Sequence, residues 1–167
     1  AVLTRGGKGH EILSTHIHTD GAGGKDLLMP GGGSRTTPIS HESVDKGLHT
    51  LNMIEANASF RVAVRHFVDC IKEAVDHNGV KVEEVRWFIP HQANLRIIDA
   101  TGRRMGLPPE KVMVNIQNYG NTTAATIPLC LWEYEKQLKK GDKIILAAFG
   151  GGFTWGSVYL KWAYDPK

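Results

Sequence analysis

Several protein classes are excluded by what this sequence lacks. No apolar run reaches the ~18 residues that a transmembrane helix needs, so a membrane-spanning protein is not expected. Cysteine is scarce: Cys70 and Cys130 are the only two, and each falls inside an apolar helical pattern. That suits buried small hydrophobes in a reducing compartment, not a disulfide framework, and no zinc-ligand spacing is present. No block of like charge occurs. Arg103-Arg104 and Lys139-Lys140 are the strongest basic pairs, and 20 Lys and Arg against 17 Asp and Glu leave a net charge of only +3. A nucleic-acid binder presents a continuous basic face, so none is expected here. With 41% hydrophobic and 22% charged residues the chain is not disordered. The opening AVLTRGGKGH is neither a signal nor a transit peptide, and a cytoplasmic location is expected.

An initiator methionine is also missing. Ala1 to Thr4 read as the end of a strand already under way, and Gly6 to Gly9 as a turn. A piece of a longer polypeptide is expected, with a processed N-terminus as the alternative. The 167 residues are one domain's worth. What is abundant is glycine, 19 of 167 residues and clustered, which marks special loops.

Periodicity organises the rest. Residues 11–19, EILSTHIHT, alternate as a strand. Residues 25–45, rich in Gly, Pro, Ser and Thr, are expected as a long loop. Between Asn52 and Asn78 the apolar residues Phe60, Val64, Phe67, Val68, Ile71 and Val75 recur at spacings of three and four, a long amphipathic helix stopped by Asn78-Gly79. A buried strand at 84–89, a helix at 94–105, a strand at 112–116 and a helix at 121–140 follow, the last kinked by Pro128. Strands at 143–149 and 153–162 form a terminal antiparallel pair. The order βαβαβαββ predicts an α/β domain with a mixed, mostly parallel five-stranded sheet and helices on both faces.

Ligands meet such sheets at the carboxyl ends of the strands. Three segments fall there: Pro90 to Asn94, Gln117 to Thr123, and Gly150 to Phe153. His91 suits proton traffic near neutral pH. Asn121 has a rigid amide that can donate to an anionic oxygen, and Gly151 offers a backbone N–H that no side chain obstructs. Taken singly, each has a plainer role as structural histidine, helix cap or turn. His16 and His18 share a strand face before Asp20, readable as a metal pair or as a satisfied surface pair. Arg96 and Arg103, seven apart with Arg104 beside them, form either a docking face for an acidic partner or a solvated face with an Asp99–Arg103 ion pair.

The stretches PHQANLRI, YGNTTAATIP and AAFGGGFTWGS, with STHIHTDG and the opening AVL, resemble the C-terminal half of β-ketoacyl-acyl-carrier-protein synthase III, a condensing-enzyme family of the thiolase superfamily. The resemblance implies a thiolase-like half, in which residues 1–10 are the tail of an N-terminal half and 11–167 the C-terminal domain. It implies decarboxylative condensation of an acyl-CoA primer with malonyl carried on acyl carrier protein, initiating fatty-acid synthesis, with no cofactor. His91 and Asn121 match the residues that stabilise the enolate oxygen, and Gly151 the glycine whose N–H completes the oxyanion hole. Phe149 matches a phenylalanine beside that histidine. Phe60, Ala93 and Asn94 match positions lining the pantetheine tunnel, and Arg96, Arg103 and Arg104 match basic positions for carrier-protein docking. Acyl carrier protein, acyl-CoA, the chain's own N-terminal half and a second copy in a homodimer are the implied partners.

The sequence departs from the family in two ways. Its nucleophilic cysteine belongs to the N-terminal half, and neither Cys70 nor Cys130 matches it, so this chain alone is expected to be inactive. MIEANASF, 53–60, places Ala56 and Ala58 where Gly and Glu are usual, which bears on the tunnel entrance and on primer preference. A non-catalytic acyl-CoA or carrier-protein binding subunit and a polyketide-priming synthase are the alternatives.

Overall fold

The protein is described by a computed structural model at residues 5–6, 9–33, 38–53 and 56–166. The readings of residues 1–4, of Gly7-Lys8 and of the Ala56 and Ala58 side chains lie outside what is described.

Strand β1 (Glu11–Thr19) opens the domain. A 3-10 turn at Gly21–Lys25 leads to the two-residue β2 (Leu27–Leu28), which pairs with β3 (Asn52–Met53). The region expected as loop also holds a short helix, α1 (His41–Asp45). Ser40 caps it, its hydroxyl accepting from the Ser43 N–H while the Ser43 hydroxyl accepts from the Ser40 N–H. One turn of helix made by reciprocal capping leaves no periodic signal.

The long helix is present as α2 (Ala56–His77). Phe67, Cys70, Ile71 and Ala74 bury one face of it. Its stop works as expected: Gly79 has φ +60°, and Gly79 and Val80 donate to the Asp76 and Val75 carbonyls at 3.1 and 3.0 Å. After β4 (Trp87–Pro90), helix α3 (Leu95–Met105) ends in the same way at Gly106. The segment expected as a third strand makes a single parallel bridge, Val112 to Phe88, and turns into α4 (Ile116–Tyr119). The helix expected at 121–140 is confined to α5 (Thr126–Glu133), with 3-10 turns on either side. Pro128 stands third in α5, among the first N–H groups that have no intrahelical acceptor, so the proline removes no hydrogen bond. β5 (Lys143–Gly150) and β6 (Thr154–Lys161) close the chain.

The main sheet is mixed, as expected, but has four strands in the order β1-β6-β5-β4, and only β4 with β5 is a parallel pair. β1, β4 and β5 run the same way. The hairpin return β6 inserts between β1 and β5 and makes both of its pairings antiparallel. Helices cover both faces. α2 and α3 pack on Phe88, Ile145, Ala147 and Tyr159, while α5 packs on Trp87, Ile89, Ile144 and Leu160. Burying a side chain the size of Phe88 contributes about 2–3 kcal/mol. Among the described residues no helix is long and apolar enough to cross a membrane.

Gly156 is where β6 meets β1: a Cβ there would lie 2.5 Å from the His16 carbonyl oxygen. Gly156→Ala is expected to destabilise by about 1–3 kcal/mol through overpacking, seen as a lower Tm. A Cβ at Gly150 meets nothing within 4 Å, so Gly150→Ala serves as the control and should move Tm little. Equal Tm values for both variants would contradict the β1–β6 register.

Candidate active site

The parallel β4–β5 pairing runs one hydrogen bond past the end of β4, from His91 N–H to the Ala147 carbonyl at 2.8 Å, so the backbone of His91 is fixed by the sheet. Its imidazole is half-buried, and burial pushes its pKa below the ordinary histidine value. Nδ1 lies 2.7 Å from Thr126 Oγ1 on the first turn of α5.

Gln92, the next residue, is 0% exposed. Its Nε2 donates to the Pro90 and Met113 carbonyls at 2.8 and 3.2 Å, and its Oε1 accepts from the Asn115 and Ile116 N–H groups at 3.0 and 3.2 Å. All four hydrogen-bonding positions of the amide are filled. Sequence reasoning missed this residue. Its only signal is a polar side chain two residues past a fully apolar strand.

From Ile116 the chain passes through α4 to Gly120, whose φ of +67° and ψ of −159° only glycine adopts readily. That turn presents Asn121. The Thr123 N–H donates to Asn121 Oδ1 at 3.0 Å, which fixes the amide orientation and leaves Nδ2 as a donor without a partner among the described residues. Thr123 itself has φ +51°, an outlier for a β-branched residue.

The third segment is the β5–β6 turn, with a cis Gly152–Phe153 peptide. Asp20 and Phe153 exchange backbone bonds at 2.8 and 2.6 Å, and the Phe153 ring covers Gly23 so closely that a Cβ there would overlap it. Gly23 therefore holds this turn in place, a role its sequence context did not reveal. Among the described residues Gly151 N–H has no hydrogen-bond partner. A Cβ at Gly151 would find only ordinary contact with Leu27, so crowding within the chain does not require this glycine.

His91, Asn121 and Gly151 line one cleft of about 920 Å³, together with Phe60, Ala93, Asn94, Arg96 and Phe149. The structure thus gathers eight of the ten expected positions. Asn94 also caps α3, accepting from the Arg96 N–H at 2.9 Å, and the Arg96 guanidinium lies 5.2 Å from the Phe60 ring centroid. Phe149 packs at a tilt against the Phe153 ring and stacks on His66; among the described residues its ring makes no ring contact with His91. Arg103 and Arg104 lie outside the cleft, exposed on the last turn of α3, and Arg103 makes no ion pair with Asp99. His16 and His18 are tied to Glu73 on α2, His18 Nε2 at 2.6 Å and His16 Nδ1 at 3.3 Å. Among the described residues no group of three or more His, Cys, Asp or Glu is arranged to hold a metal ion. Cys70 and Cys130 are buried, and burial pushes both thiols up to about 12, so neither supplies a thiolate near neutral pH.

A mixed sheet covered by helices on both faces, with polar groups collected at one strand edge over an apolar cleft, defines a thiolase-like α/β half-domain. The chain belongs to the family described as the C-terminal domain of 3-oxoacyl-[acyl-carrier-protein] synthase III, whose model matches residues 75–162 and so includes His91, Asn121 and Gly151. It is 51% identical to a β-ketoacyl-[acyl-carrier-protein] synthase III of Phocaeicola vulgatus over 92% of the chain and 46% of that relative. The crystal structure of a 3-oxoacyl-(acyl carrier protein) synthase III from Pseudomonas aeruginosa superposes with a TM-score of 0.78 at 34% identity, over 93% of this chain and 46% of the other. A priming β-ketosynthase of the R1128 polyketide pathway gives 0.73 at 28%, over 95% and 46%. The chain spans less than half the length of each of these proteins.

Replacing Gln92 by leucine removes four hydrogen bonds from a buried site. At about 1–3 kcal/mol for each group left unpaired, Gln92→Leu should cost at least about 3 kcal/mol in denaturant unfolding. A loss below about 1 kcal/mol would contradict the role given to this amide.

Proposed function

We propose that the chain is the acyltransferase half-domain of a β-ketoacyl-acyl-carrier-protein synthase III, which condenses an acyl-CoA primer with malonyl-acyl carrier protein. Support comes from the family membership and, above all, from the convergence of His91, Asn121 and Gly151 on one cleft. On this reading residues 1–10 end the N-terminal half and 11–167 form the C-terminal domain. The nucleophilic cysteine belongs to the N-terminal half, and the two halves complete the site within a cytoplasmic homodimer that needs no cofactor.

The chemistry follows from the donors. A primer acyl group is held as a thioester on the cysteine. Malonyl thioester loses CO2, and the electron pair of the broken C–C bond moves into a thioester enolate. Its oxygen accepts from Asn121 Nδ2 and from His91. The enolate carbon attacks the acyl thioester, whose oxygen becomes anionic and accepts from Gly151 N–H until the cysteine thiolate leaves. Donors fixed before the charge develops need not reorganise as it forms. Phe60, Ala93, Asn94 and Phe149 line the path of the pantetheine arm, and Arg96, Arg103 and Arg104 receive the acidic carrier protein. Polyketide priming is the second reading, favoured by the likeness to the R1128 priming synthase, and it uses the same donors. A non-catalytic binding subunit would have no use for Asn121 Nδ2 and Gly151 N–H left free beside a histidine.

Two measurements test this. In the whole protein, His91→Ala should slow decarboxylation of the malonyl thioester by about 10²-fold or more while sparing transfer of the primer acyl group to cysteine. Equal loss of both half-reactions would contradict the assigned role. Incubated with acetyl-CoA, this chain alone should keep its mass, since both of its thiols are sealed. A covalent acetyl adduct would place a nucleophile within it.

A further inference from the structure

Phe149 belongs to a row of rings laid across three strands. The sheet register sets Phe149 of β5 opposite Trp155 of β6, and Trp155 opposite His18 of β1. Residues directly opposite one another share a face of the sheet. Phe149 and Trp155 pack against the core cluster that holds the apolar side of α2, so this row stands on the face that α2 covers. Both rings also line the cleft.

One side chain of α2 lies against two members of the row. The His66 imidazole is stacked on the Trp155 indole, with centroids 3.7 Å and planes 21° apart, and it is nearly parallel to the Phe149 ring, at 6.1 Å and 11°. His18 is stacked on the same indole at 5.6 Å and 22°, and its Nε2 is tied to Glu73 Oε2 at 2.6 Å. Glu73 follows His66 by seven residues, two turns of α2, and so shares its face. The helix thus grips the row at two points, directly through His66 and by way of His18 through Glu73. His66 itself lines a separate groove of about 260 Å³ with His18, Asp69, Cys70, Glu73 and Trp155, and is not among the residues that line the cleft.

We propose that His66 is a positioning residue for the substrate arm: from behind the cleft wall it holds the Phe149 and Trp155 rings in place, and so sets the width of the passage they border. This rests on the proposed function, in which Phe149 lines the path of the pantetheine arm. Stacked rings hold one another to a narrow set of offset geometries. Without a ring at position 66, the indole and the phenyl lose the flat surface they lie against and can tilt back into the groove. The wall meets the arm before the reaction as well as during it, so a loosened wall weakens binding and spares the chemical step.

The test is made in the whole protein. His66→Ala should raise KM for the malonyl thioester about tenfold, ~1.4 kcal/mol, with kcat held within about threefold. His66→Gln, which keeps bulk without a ring, should behave likewise and serves in its place if His66→Ala does not fold. His66→Phe returns a flat ring and should bring KM back. An unchanged KM in a folded ringless variant would overturn the proposal, as would a fall in kcat with KM unmoved, or a raised KM that His66→Phe leaves raised. A second readout needs no turnover: stacking on the indole should place the His66 ring protons well upfield in the NMR spectrum, and ordinary shifts would mean that the brace does not exist. A native protein that condenses nothing, yet shows those upfield shifts, would sink the proposed function and with it the use of the brace. A native protein that condenses, with KM indifferent to the ring at 66, would sink the brace alone.

Discussion

The carboxamide of Gln92 sets the geometry between the two side chains of the site. β4 delivers His91, and the segment after Met113 leads to Asn121, yet these two stretches share only one bridge of regular pairing. The remaining connection is made by the amide, which bonds backbone groups of Pro90, Met113, Asn115 and Ile116. It replaces the ladder that a fifth strand would have formed. No other kind of side chain fits as well: two donors and two acceptor sites in one plane belong to Gln and Asn, and a carboxylate could not donate. In a dry interior the full set is stable and a partial set is costly, so the spacing between strand end and helix is held to one value.

A second tie places the backbone donor. The β5–β6 turn would be free to swing if only its own hairpin held it. The Asp20–Phe153 backbone pair and the packing of Phe153 on Gly23 anchor it to the turn that follows β1. The loop that aims Asn121 carries backbone strain: Gly120 is in a conformation reserved for glycine, and Thr123 is at φ +51°. Strain of this kind costs about 1–3 kcal/mol and persists only where neighbouring bonds outweigh it. Here Thr123 donates its N–H to Asn121 and lends its carbonyl to Thr126, so one strained residue orients both the amide and the imidazole.

Local signals in the sequence were enough for much of this. α2 was legible because its apolar spacing is helical and Asn78-Gly79 ends it, and the gathering of three polar segments at one edge followed because two of them close β4 and β5, which run the same way, and the third follows a stretch bridged in parallel to β4. Strand order was not legible, because nothing in Thr154 to Lys161 announces that it lies between β1 and β5. Nor was the loss of the fifth strand, since Val112 to Ile116 has strand composition and is diverted by a distant glutamine. The helix expected from 121 to 140 was overextended because its apolar spacing persists through 3-10 turns. Gln92, Thr126 and Gly23 escaped for one reason: each acts through a partner far away in sequence.

The chemistry of these groups is lopsided. Asn121 Nδ2 and Gly151 N–H can only donate, and both thiols are locked in the core, so the described residues offer two fixed donors and one ambivalent ring. On the proposed reading the nucleophile enters from the other half of the protein. Ile17, Leu51 and Met53 fit that arrangement, lining the cleft while 78%, 72% and 54% exposed. Covering them would dry the cleft and strengthen every donor in it.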